Sequence, residues 1–169
     1  MARRGMDVAG NELTVQGEML QVGQPAPDFT LTANNWQAKT LADYTGKIKI
    51  ISIVPSLDTR VCATQTRRFN QEASNLSDDT VVLTVSADLP YAQRRWCAAE
   101  GIDRVETLSD HKTMNFSTAF GVNVVDLRIC QRSVFVLDRE NIVRHAEYVY
   151  MMGDEPDYEA ALAAARALV

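Results

Sequence analysis

The densest apolar run along the chain is Ile48, Ile50, Ile51, Ile53 and Val54, stopped by Pro55. A nearly continuous β-branched run of this kind marks a strand buried on both faces. Val81 to Val85 predicts a second buried strand, and Val105 to Leu108 a shorter third. Between them, Val61 to Leu76 is helix-compatible, with Phe69 and Leu76 on its apolar side. The turn Ser86-Ala87-Asp88-Leu89-Pro90 leads into a helix through Ala99, and Thr113 to Phe120 predicts a short helix closed by Gly121.

The flanks carry weaker patterns. Glu12 to Val15 and Met19 to Val22, broken at Gly17, predict an N-terminal hairpin, with residues 1–11 ahead of it expected to be flexible. Residues 23–28 hold Pro25 and Pro27 and predict an extended connector. Phe29 to Leu31 suits a short strand, and Leu41 to Tyr44 a helical turn ending at Gly46. Val134 to Leu137, a turn at Asp138 to Asn141, and Ile142 to Tyr150 predict an antiparallel hairpin. Glu155-Pro156-Asp157 then opens an Ala-rich helix. Alternating strands and helices followed by a hairpin and helix predict an α/β fold with a mixed central sheet. No repeat or low-complexity linker interrupts it, so residues 1–169 are expected to form one domain.

Composition narrows the classes of function. The 169 residues are 46% hydrophobic and 23% charged, as in a globular protein. A net charge of −5 argues against a nucleic-acid or anionic-membrane partner. No apolar run reaches the roughly 18 residues a membrane span needs. Arg3 and Arg4 are followed by no apolar h-region, so a secretory signal is not expected and the cytoplasm is the expected compartment. Three cysteines are too few for a disulfide scaffold, and the odd count leaves one over if two pair.

Ligands of open α/β sheets bind beyond the carboxyl ends of strands, so the strand-to-helix junctions are the places to look. The first reads Pro55-Ser56-Leu57-Asp58-Thr59-Arg60-Val61-Cys62 and puts a cysteine in the first turn of a helix. Unpaired N–H groups and the positive end of the helix dipole favour a thiolate, which is the reactive form. Thr59 can offer a hydroxyl to the sulfur or to a substrate oxygen, and Arg60, Arg67 and Arg68 add charge nearby. The same spacing equally fits a buried helix-start cysteine with Thr59 as a simple N-cap.

The stretch from Pro55 to Cys62 resembles the peroxiredoxin pattern of proline, three residues, threonine, two residues and cysteine. PSLDTRVC followed by ATQTRRFN is similar to the thiol peroxidase branch of the atypical two-cysteine peroxiredoxins. Ser86-Ala87-Asp88-Leu89-Pro90 leading to Arg95-Trp96-Cys97-Ala98-Ala99-Glu100-Gly101 resembles that branch's resolving-cysteine segment, and the ending from Glu155 to Leu162 also resembles that branch. The likeness runs from about Leu13 to the C-terminus.

The resemblance implies a thioredoxin-like (peroxiredoxin) fold with an N-terminal β-hairpin. It implies that Cys62 attacks a peroxide and becomes a sulfenic acid, and that Cys97 resolves it as an intramolecular disulfide. Thr59 matches the threonine that hydrogen-bonds thiolate and peroxide, Pro55 the proline that shields the sulfur, and Arg132 the arginine that stabilises the thiolate. Hydrogen peroxide and alkyl or lipid hydroperoxides are the implied substrates, thioredoxin the implied reductant, and a homodimer the implied assembly. A second reading keeps the same pair as a peroxide-responsive sensor signalling to a protein partner. With both cysteines read at strand-to-helix junctions, both helix starts are expected to unwind for the disulfide to form.

The remaining candidates weigh less. Cys130, two positions before Arg132, could share its face in an extended segment, but a buried or idle thiol is expected. Trp96 is expected to pack. His111 and His145 lack metal-ligand spacing, so no metal is expected, and no Gly-rich phosphate loop or other cofactor motif appears. The absence of C-x-x-C argues against a thioredoxin-type disulfide oxidoreductase. Met151-Met152-Gly153 is expected to border either a partner surface or the pocket wall.

Overall fold

The computed structural model describes residues 2–169. Strands β1 (Arg3–Met6) and β2 (Glu12–Gln16) open the chain, followed by β3 (Leu31–Ala33), β4 (Ala38–Lys39), a 3-10 turn over Leu41–Tyr44, and β5 (Ile48–Ile53). Helix α1 (Arg60–Ala73), β6 (Thr80–Ser86), α2 (Pro90–Glu100), β7 (Glu106–Ser109) and α3 (Asn115–Ala119) come next. The last part holds β8 (Asn123–Val124), β9 (Ile129–Cys130), β10 (Ser133–Leu137), β11 (Val143–Tyr148) and α4 (Tyr158–Arg166).

Among the described residues, seven strands form a central sheet in the order β11-β10-β5-β6-β7-β3-β4. The pairs β5/β6 and β6/β7 are parallel, while β10/β5, β10/β11, β3/β7 and β3/β4 are antiparallel. The sheet is therefore mixed, as expected. The apolar run of β5 is explained by burial on two faces. Ile51 and Ile53 join Leu83, Val85 and Phe135 on one face, under Phe29, Phe116 and Phe120. Ile48 and Ile50 join Val82, Val134 and Val136 on the other, under Phe69 of α1 and Leu162 of α4. All four isoleucines are fully buried.

The N-terminal hairpin differs from expectation in its partners. β2 pairs with β1, Gly5 facing Leu13, rather than with Met19 to Val22. Residues 2–11, expected to be flexible, thus contribute a strand and its turn. The turn closes locally: the Asp7 carboxylate accepts the N–H groups of Ala9 and Asn11. Gly17 is no hairpin turn; it lies at φ 105° where a Cβ would strike the Thr118 carbonyl, so it permits a close approach to the end of α3. The two-residue strands β8 and β9, too short to leave a periodic signal, complete a second sheet in the order β1-β2-β8-β9.

In the central sheet Ile53 of β5 lies beside Val85 of β6, and the Val54 N–H donates to the Val85 carbonyl at 3.0 Å. The loops leading into α1 and α2 therefore leave the sheet side by side.

Candidate active site

Helix α1 starts after Thr59, whose extended backbone (φ −101°, ψ 151°) occupies the N-cap position, so Cys62 falls in the first turn. The side chain of Cys62 is fully buried, packed with Val54, Leu57 and Trp96. Pro55, also buried, lies in the loop joining β5 to α1. Thr59 is exposed, and its hydroxyl donates to the Ser56 carbonyl at 3.0 Å rather than to the sulfur.

Arg132 lies between β9 and β10, with only 2% of its surface exposed. Its Nη2 donates to Cys62 Sγ at 3.3 Å and to the Met152 carbonyl at 2.8 Å, and its Nη1 donates to Gln65 Oε1 at 3.0 Å. Gln65 is held in turn by donating its Nε2 to Ser52 Oγ at 2.8 Å. Among the described residues no carboxylate pairs with Arg132, so its charge is left to face the sulfur. A buried guanidinium aimed at a sulfur is suited to an anionic thiolate and to negative charge developing on a nearby oxygen.

Thr59, Arg60, Val61, Arg132, Met152 and Gly153 line an opening of about 400 Å³ beside this cluster. Met152 and Gly153 thus form part of the cavity wall, and Met152 also anchors the arginine through its carbonyl. That segment is tied to the N-terminus, since Met152 N–H donates to the Met6 carbonyl at 2.9 Å. Gln65 and the Met152 carbonyl were not anticipated as site groups. A signal for Gln65 exists: it is a polar residue on the buried side of α1, between Cys62 and Phe69.

Cys97 lies elsewhere. It occupies the last turn of α2, where its carbonyl accepts the N–H groups of Gly101 and Ile102, and not the helix start that its segment suggested. Pro90 opens α2 well before it. Its Sγ sits 3.7 Å from Thr107 Oγ1 and borders a separate cavity of about 640 Å³. Burial pushes the Cys97 thiol pKa up, opposed by the Thr107 hydroxyl. The neighbouring Trp96, not Cys97, packs with Cys62, and all three cysteines are free thiols. The structure thus brings Cys62, Arg132, Pro55 and Thr59 to one junction and leaves Cys97 on another side of α2.

Cys130 is fully buried in the main core, with Ser117 Oγ 3.1 Å from its sulfur. Burial pushes its pKa up to about 12. Such a thiol is not a nucleophile at neutral pH. Among the described residues no helix is long and apolar enough to cross a membrane.

The redoxin family model matches residues 21–162. A thiol peroxidase of Bacillus subtilis (strain 168) is 54% identical over 160 residues, covering 95% of each chain. A thiol peroxidase of Streptococcus sanguinis is 54% identical over 159 residues, covering 94% of this chain and 97% of its own. The crystal structure of a peroxiredoxin-like protein from Aquifex aeolicus superposes with a TM-score of 0.90 at 32% identity, covering 99% of both chains. The expected thioredoxin-like fold is therefore present. The chain belongs to the redoxin family, as a peroxidase-type oxidoreductase of the thiol peroxidase branch of the peroxiredoxins.

Proposed function

We propose that the protein reduces hydrogen peroxide and alkyl or lipid hydroperoxides through Cys62 and Cys97, and that thioredoxin recycles it. The observation that carries this reading is the contact of Arg132 Nη2 with Cys62 Sγ at 3.3 Å. The Cys62 thiolate attacks one peroxide oxygen; an S–O bond forms and the O–O bond breaks. The departing hydroxide or alkoxide takes up a proton and leaves as water or alcohol. Arg132 offsets the charge that develops on that oxygen, and the Thr59 hydroxyl, on the cavity wall, is the second polar group within reach of the entering peroxide. Pro55 helps to keep water from the sulfur.

The Cys62 sulfenic acid is then attacked by the Cys97 thiol. An S–S bond forms, the S–O bond breaks, and hydroxide leaves with the Cys97 proton as water. A thioredoxin dithiol returns two electrons by thiol–disulfide exchange. Fast resolution limits further oxidation of Cys62 to the sulfinic acid. Because Cys97 is the better part of a helix away from its own junction, release of the start of α2 does not by itself carry it to Cys62, and the C-terminal turn of α2 unwinds as well. The protein works as a single-domain homodimer in the cytoplasm.

The test is consumption of hydrogen peroxide and an alkyl hydroperoxide with thioredoxin and its reductase. Wild type is expected to turn over, Cys62→Ser to lose all activity, and Cys97→Ser to stop after one equivalent of peroxide. Activity surviving in Cys62→Ser overturns the reading.

A further inference from the structure

Cys62 and Cys97 can bond only when their Cα atoms come within about 7 Å. The structure shows the arrangement before that, with Cys62 on Arg132 and Cys97 on Thr107. Something must hold the two segments in this arrangement and yet let them go.

One carboxylate ties the Cys62 loop to the turn that opens α2. Asp88 sits in the turn between β6 and α2 and is half-buried. Its Oδ1 accepts from Ser56 Oγ at 2.7 Å, and its Oδ2 accepts from the Leu57 N–H at 2.9 Å. Ser56 and Leu57 belong to the loop that leads to Cys62, and Ser56 also accepts the Thr59 hydroxyl on its carbonyl. On its own side, Asp88 Oδ2 accepts from Ser86 Oγ at 2.7 Å. The same Ser86 hydroxyl accepts from Gln93 Nε2 of α2 at 2.9 Å. The Asp88 carbonyl accepts the Ser109 hydroxyl of β7. No cation pairs with this carboxylate among the described residues, so the hydroxyl and N–H donors of the two loops supply its hydrogen bonds.

We propose that Asp88 is a positioning residue that latches the Cys62 loop to the start of the Cys97 helix in the peroxide-reactive arrangement, and whose release accompanies disulfide formation. The inference rests on the Cys62–Cys97 reading above. Hydrogen bonds to a charged acceptor are stronger than neutral ones, so removing the carboxylate loosens both loops at once. The consequences for the two steps are opposite. Peroxide attack slows, because the loop carrying Thr59 and the first turn of α1 is less well placed. Disulfide formation quickens, because α2 leaves its seat more readily. A residue needed only for folding would slow both.

The experiment compares reduced wild type, Asp88→Ala, Asp88→Asn and Ser56→Ala, each full length, after rapid mixing with hydrogen peroxide. Tryptophan fluorescence follows the time course, and acid quenching with thiol counting and mass spectrometry separates sulfenic acid, disulfide and sulfinic acid. In Asp88→Ala the ratio of the disulfide-forming rate to the peroxide rate is expected to rise about tenfold or more. Ser56→Ala moves it the same way by less, and Asp88→Asn falls between wild type and Asp88→Ala. The sulfinic fraction at high peroxide falls in the same order. A ratio unchanged in Asp88→Ala and Ser56→Ala, or two rates that fall together, overturns the latch. Should Asp88→Ala fail to fold, the ratio in Ser56→Ala decides. Wild type that never forms the Cys62–Cys97 disulfide defeats the underlying reading and the latch with it. A wild-type disulfide with unmoved variant ratios defeats the latch alone.

Discussion

Arg132 Nη2 lies 3.3 Å from Cys62 Sγ although 70 positions separate the two residues. The contact is buried, and the guanidinium is held from its other edges by Gln65 Oε1 and the Met152 carbonyl. A fixed donor of this kind does not have to reorganise as charge moves from sulfur to oxygen. Arg132→Lys keeps the charge but not the planar fork that meets three partners. Its second-order rate with hydrogen peroxide is expected to fall about 100-fold, measured by stopped-flow at pH 7. A rate within a factor of three of wild type would remove Arg132 from the chemistry.

Gln65 positions that guanidinium. Gln65→Leu leaves the Arg132 Nη1 and the Ser52 hydroxyl without their partner in a buried place. The variant is expected to lose about 1–3 kcal/mol of stability in urea unfolding. It is also expected to react with peroxide about tenfold more slowly, with the loss in the peroxide step and not in the later reduction of the disulfide.

Cys97 offers a pH test of whether α2 opens before the disulfide forms. In the folded helix its thiol pKa is raised by burial, with the Thr107 hydroxyl opposing. The thiolate is the attacking form, so a step that used the folded helix would keep accelerating with pH above the ordinary thiol range. An unwound segment escapes that burial. The disulfide-forming step is therefore expected to titrate near an ordinary thiol value of about 8.5. Alkylation of Cys97 in reduced Cys62→Ser should titrate higher. Identical midpoints for the two processes would mean that the helix does not open first.

Cys130 is expected to be a bystander. Its thiol, pushed up to about 12, should resist alkylation at pH 8 until the protein is unfolded. Cys130→Ala should keep peroxidase turnover with thioredoxin and its reductase close to that of wild type. A large loss would show a third thiol in the cycle.

Phe69 tests the scaffold beneath the site. It is fully buried between α1, β5 and α4 and meets Tyr158 edge to face at 5.5 Å. Phe69→Ala is expected to cost about 3–5 kcal/mol in urea unfolding, through lost transfer energy and a cavity. The Cys62 loop lies about two helical turns away, at the N-terminal end of α1, so a peroxide rate that survives in the folded fraction would separate stability from chemistry.

What could be read along the chain was whatever depends on near neighbours. The isoleucines of β5 are legible because a central strand buried on two faces tolerates almost no polar positions. Cys62 at a helix start is legible because a strand, a short loop and a helix are consecutive in sequence. The N-terminal hairpin misled because Gly17 carries the same mark whether it turns a chain or lets a distant backbone approach, here that of Thr118 and Gly121. The pairing of β1 with β2, and of Met6 with the segment after β11, is settled by contacts outside any local window.

The site divides along the same line. The sequence alone carried the cysteine, its threonine and its place at the end of a buried strand, because local backbone geometry determines all three. The family resemblance named Arg132 for the thiolate, and the helix through Ala99 already put Cys97 near its end. Only the tertiary structure decided how the guanidinium meets the sulfur, that Gln65 and the Met152 carbonyl hold it, and that Cys97 faces Thr107. It also decided that Asp88 touches both loops. Those relationships come from side chains brought together by the sheet and buried from water, where each polar atom must find a partner that sequence spacing does not name.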